Sequence, residues 1–235
     1  MSGRRAAGAP PRAVSAESRW PAVLALLVAL TAYGALPSHF PLWLRIAVVA
    51  IGLLLLIPVL VLNPRRMDKE TRWSRILSVA QALILVLANQ VALGILIHAL
   101  VTSERKDGPA VLLAALQVWV TNVIAFALVY WELDRGGPVS RRRRARKDLP
   151  AADFRFPQDE DGDDVEEVAA RSSQRSDWAA GYFDYLYFSL TNSMAFSPTD
   201  VMPLSHRAKA LMGFEAFTAF VMLALVIARA VSLLG

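Results

Sequence analysis

Four long apolar runs decide what this 235-residue chain can become. They lie at about 41–62, 76–101, 109–131 and 205–235, and each reaches the ~20 helical residues that a hydrocarbon core requires. A fifth run, Pro21 to Leu36, is apolar but shorter. In lipid every backbone N–H and C=O must be satisfied within the segment, so such runs become helices. With 55% hydrophobic residues and a mean hydropathy of +0.41, the expected fold class is an all-α integral membrane protein. The chain has no cysteine, which excludes disulfides and thiolate metal sites. His39, His98 and His206 are too scattered to form a metal set. With no nucleophile–base set either, we expect no enzyme activity, no metal and no cofactor. The formal charge of +5 sits in loops without interleaved aromatics, a pattern unlike nucleic-acid binding.

Taken in order, residues 1–19 carry Arg4, Arg5, Arg12 and Arg19 among Ala, Gly, Pro and Ser and are expected to be disordered. The 21–36 run, with Ala32-Tyr33-Gly34 near its end, also fits a cleavable signal peptide. Because it is Leu-rich and merges into the next span, a first transmembrane helix is the reading adopted. Residues 20–133 are thus expected to hold four spans, the second kinked at Pro58. The third carries Gln81, Asn89, Gln90 and His98, and the fourth Gln117, Thr121 and Asn122. Polar groups in lipid need a partner helix or water, and interhelical hydrogen bonding is expected here rather than a polar pathway.

Residues 134–180 change character abruptly. The basic run Arg141–Lys147 is followed by the acidic run Asp159–Asp164, and the segment reads as a charged flexible linker. A calcium loop is excluded, because a glycine at the sixth position would put Pro157 at the first. The basic run suits topology or anionic headgroups. Within the linker, Asp153-Phe154-Arg155-Phe156-Pro157 looks like a small docking motif. Lys and Arg stay on the cytoplasmic side, so the N-terminus, the 63–75 loop and the linker are expected there in a cell inner membrane, with the C-terminus outside.

Residues 181–235 have the order helix, polar loop, helix. Tyr187-Phe188-Ser189-Leu190 opens the stretch, Asp200 and Pro203 keep a D-x-x-P spacing, and Glu215-Ala216 and Ile227-Ala228-Arg229 follow without a gap. This set resembles the pore domain of prokaryotic two-helix potassium channels, and the preceding spans resemble a bacterial multi-span membrane-protein family. The resemblance implies a re-entrant pore helix and loop before the last helix, hence five transmembrane helices plus one re-entrant element, and a homo-oligomer, a tetramer by analogy. It places Thr191, Asn192, Ala195, Phe196, Ser197, Pro198, Thr199 and Asp200 at pore and filter positions, and Glu215, Ala219 and Arg229 on the inner helix, Ala219 standing at the hinge glycine.

Both filter glycines are replaced, by Ser197 and Thr199. A carbonyl ladder that strips water from potassium needs conformations that glycine reaches cheaply, and Pro198 biases Ser197 towards an extended backbone. The expected activity is therefore a weakly selective pathway for monovalent cations. The alternative is a non-conducting membrane scaffold or regulatory subunit that keeps the helix pair for packing. Glu215 and Arg229 lie ~21 Å apart along one helix and cannot pair within it. As ionisable residues in a lipid span both are functional candidates; the competing readings are that Glu215 hydrogen-bonds Asn122 or Gln90 and that Arg229 snorkels to the interface. The loop charges put the pore loop on the cytoplasmic side, inverted relative to potassium channels, unless the loop serves packing alone.

Overall fold

A computed structural model describes residues 16–37, 40–62, 71–102, 108–160, 163–176, 178–194 and 200–234. The chain is mostly helical. Its helices are α1 (Trp20–Gly34), α2 (Leu42–Leu62), α3 (Arg72–Thr102), α4 (Gly108–Leu133), α5 (Pro138–Arg143), α6 (Glu166–Ala169), α7 (Tyr182–Ser193) and α8 (His206–Leu234). One two-residue antiparallel pair interrupts the helical pattern: β1 (Phe154–Arg155) joins β2 (Met202–Pro203), with Phe154 opposite Pro203.

Among the described residues, three helices are long and apolar enough to cross a membrane: Arg72–Thr102, Gly108–Gly136 and His206–Ser232. Two shorter apolar helices, Trp20–Gly34 and Leu42–Pro58, accompany them. Exposed Leu42, Trp43, Ile46, Leu54, Leu87, Phe217 and Val231 give the bundle the apolar exterior that a lipid solvent favours.

The organising helix is α4, which packs against α1, α3, α7 and α8. From Thr121 to Glu132 every residue of α4 is buried, the pattern of a helix enclosed on all sides. Ala114, Ala115, Ala125 and Ala127 are small enough to let its neighbours approach closely. On the far side α2 closes over α1 and α3. Gly52 lets α1 approach closely there: a Cβ would come 2.5 Å from Leu30 Cδ2 and force that side chain to shift, and Gln81 Nε2 donates to the Gly52 carbonyl at 2.9 Å.

A polar knot ties α1, α3 and α4 together. Asn89 Oδ1 accepts from Tyr33 Oη at 3.1 Å and Thr121 Oγ1 at 2.7 Å, while Asn89 Nδ2 donates to Asn122 Oδ1 at 2.8 Å. Gln90 Nε2 reaches the same Asn122 oxygen at 3.4 Å. These amides form the interhelical bonds that their positions predict, each contributing roughly 1 kcal/mol in a membrane.

The segment expected as a flexible linker instead carries defined structure wherever it is described. It forms α5, β1, α6 and short 3₁₀ turns, and Asp153, Phe154 and Phe156 are buried. The physical reason is that its charges are matched internally. Arg135 Nη2 lies 2.6 Å from Asp159 Oδ2, and Arg155 pairs with Glu160. The docking motif 153–157 engages this same chain. The turn after α4 is left-handed at Arg135, Gly136 and Gly137 (φ 49°, 81° and 94°). Gly136 fits because a Cβ would meet Pro150 Cγ and Ser140 Oγ at 3.0 Å.

Candidate functional site

The short helix α7 is where the candidate residues converge. Asp184 caps it, with its Oδ2 accepting from the Gly181 N–H at 2.7 Å. This satisfies one of the donors that a helix start leaves over. Glu17 accepts from the Tyr182 N–H at 2.8 Å and from Trp131 Nε1 at 3.1 Å, fastening the start of α7 to the end of α4. Burial pushes the Glu17 carboxyl above its ordinary range, while Arg141, the Tyr182 N–H, Trp131 and Arg142 pull it back down.

One face of α7 carries Tyr185, Phe188, Ser189 and Asn192, all buried. Phe188 packs at a tilt against Tyr130 (ring centroids 4.8 Å apart) and edge-on against Phe154 (5.0 Å), and Phe154 also meets Tyr130 edge-on at 5.1 Å. Beneath this aromatic triad lies Glu215 of α8, fully buried. Tyr130 Oη donates to Glu215 Oε2 at 2.7 Å and Asn192 Nδ2 to the same oxygen at 2.6 Å. Ser189 Oγ donates to Oε1 and also lies 2.9 Å from the Val123 carbonyl. Asn192 Nδ2 reaches the Met212 carbonyl at 3.2 Å as well. Both carboxyl oxygens are thus engaged, so Glu215 acts as a clamp between α4, α7 and α8.

The expected partners of Glu215, Asn122 and Gln90, belong instead to the α1–α3–α4 knot. Asn192 and Glu215 are the two pore-region candidates that the fold brings together. Thr191 bonds back to its own helix, at 3.1 Å to the Tyr187 carbonyl and 3.0 Å to that of Phe188. Asp200 is exposed, Ala219 is packed inside and Arg229 is half-buried. The filter positions Ala195, Phe196, Ser197, Pro198 and Thr199 lie outside the described residues.

A second buried carboxylate, Asp134, holds the cap over this site. Its Oδ2 accepts from Tyr185 Oη at 2.6 Å; its Oδ1 accepts from the N–H groups of Asp153 (2.8 Å) and Phe154 (3.3 Å). Asp153 then grips the start of α8. Its Oδ1 accepts from Ser205 Oγ at 2.5 Å and Arg207 Nε at 2.7 Å, and its carbonyl from the Leu204 N–H at 2.7 Å. The residues on either side of the β1–β2 pair therefore fix the start of α8. Sequence reasoning did not find Tyr130, Asp134 or Tyr185. Tyr130 looks like an interfacial aromatic, and nothing local to Asp134 shows what it will face.

Compared with family models, curated proteins and solved structures, the chain shows no match.

Proposed function

We propose that this chain is a channel-type integral membrane protein in which α1–α4 and α8 span the bilayer and α7 is a re-entrant helix. Copies of the chain assemble around a weakly selective pathway for monovalent cations. The supporting observation is the short helix α7 clamped between two long apolar helices through Glu215. Its 12 residues extend ~18 Å, well short of a ~30 Å hydrocarbon core. A helix that stops part-way is tolerated only against protein or a water-filled cavity, and polar Ser189 and Asn192 on α7 meet protein. The loop charges favour a cytoplasmic 134–180 segment in a cell inner membrane.

The second reading, a non-conducting scaffold or regulatory subunit, is favoured by the inward placement of Asn192 and Glu215 with their polar atoms engaged. Purified protein in liposomes loaded with a cation-sensitive dye separates the two. Channel function predicts cation influx that Asp200→Asn diminishes, because Asp200 is exposed and directly follows the filter positions in sequence. Absence of influx at every voltage and pH would leave the scaffold reading standing.

A further inference from the structure

At the tip of α7 a cavity of about 310 Å³ opens between α4 and α8. α4 walls it from Leu112 to Trp119 and α8 from Met222 to Val226, with Ser193 and Met194 at its edge. The lengths of the helices create this space. α7 packs against both long helices but ends at Ser193, and α4 and α8 run on without it between them.

Depth decides what can fill the cavity. Counted at about 1.5 Å per residue from the Gly108 end of α4, its wall lies ~6–17 Å in; from the Ser232 end of α8 it lies ~9–15 Å in. Both counts fall within one half of a ~30 Å hydrocarbon core, where the surrounding medium is acyl chain and not water. The lining suits that medium. Among the described residues no charged one contributes, and the Ser193 hydroxyl is spent on the Leu190 carbonyl at 2.9 Å. Leu116 and Met194 are 56% and 52% exposed and form the mouth, whereas Ala115 and Met222 are buried and form the floor. The cavity therefore runs inward from the lipid-facing surface, and leaving it empty would forfeit the packing contacts of its walls.

We propose that one acyl chain of a membrane lipid occupies this cavity, entering between Leu116 and Met194 and ending against Ala115 and Met222. A chain seated there supports the tip of α7 from the side that protein leaves open. The inference rests on α4 and α8 spanning the bilayer and stands whether or not the chain conducts.

The test uses the full chain in phosphatidylcholine vesicles containing a phosphatidylcholine with a diazirine in one acyl chain. After illumination, mass spectrometry of the digested protein maps the labelled residues. Leu87 and Val91, exposed on α3, report ordinary lipid contact. The expected result is labelling of Ala115 and Met222 at least equal to that of the α3 positions, although both are buried. Ala115→Phe and Leu223→Trp put bulk into the cavity from opposite walls; gel filtration checks that each folds. Either variant should lose the Met222 label and keep the α3 labels. Labels on α3 without labels on Ala115 and Met222 would overturn the proposal and leave the membrane reading intact, and so would cavity labels that both variants retain. No label on α3 either would remove the membrane reading and the proposal with it. A second arm oxidises Leu116→Cys, the sole cysteine in such a chain, at high dilution in lipid. A monomer is expected; a disulfide-linked dimer would show that a second copy covers the mouth, and would overturn the proposal.

Discussion

Tyr130 of α4 and Glu215 of α8, 85 positions apart in sequence, meet at 2.7 Å, and α7 is wedged against both helices. Glu215 therefore does for the last helix what a buried aliphatic side chain does elsewhere, but through directional bonds. Three donors, from Tyr130, Ser189 and Asn192, depend on it.

Replacing Glu215 with Ala leaves the Tyr130 hydroxyl buried without an acceptor and Ser189 and Asn192 with only the Val123 and Met212 carbonyls, and the loss should be about 2–3 kcal/mol. Glu215→Gln keeps one acceptor oxygen and should lose less. Thermal unfolding in detergent ranks the two; equal losses would mean that the clamp is not the source of the stability.

Tyr130→Phe removes one hydroxyl and little volume, so a cost of about 1 kcal/mol is expected. A double-mutant cycle with Glu215→Gln should show a coupling of at least ~0.5 kcal/mol, because the residues are in direct contact. Additive effects would contradict the geometry.

Asp134→Ala withdraws the acceptor from Tyr185, Asp153 and Phe154 together. Limited proteolysis should then cut faster within 134–160, with a stability loss of about 2–4 kcal/mol. Asp153→Ala should loosen the same segment less, because Arg207 is 58% exposed at the side chain and such pairs contribute about 1 kcal/mol or less.

The Glu17 carboxyl sits above its ordinary range through burial. A folded-state pKa raised in this way means that the native state binds more protons than the unfolded one, so stability falls as pH rises above the unfolded value of 4.5. Glu17→Gln should flatten that slope while retaining an oxygen to accept from Tyr182 and Trp131. Tm measured from acid to neutral pH in both proteins reads the difference, and parallel slopes would exclude Glu17 as the titrating group.

The long helices α3, α4 and α8 were legible because span length and the scarcity of charge are properties of a single segment. The amides were legible too: a buried Asn in lipid must find a partner, and Asn89 found Asn122. The identity of the partner of Glu215 was not legible, since periodicity names a face without naming what packs on it. The cap was hidden for a different reason. Its composition is that of a solvated linker, and only three-dimensional matching of Arg135 with Asp159, and of Asp134 with the backbone at Asp153 and Phe154, makes it fold. Phe154 and Phe156 were the visible trace, two aromatics set in a charged stretch.

The pairing of β1 with β2 fixes an order of assembly. Synthesis runs from the N-terminus, so β1 is made before α7, β2 and α8 exist. Asp153 must then wait for a partner 54 residues downstream, Arg207. The cap can close only after α8 has begun to emerge, so an accessible Phe154 would mark a chain whose last helix has not yet docked.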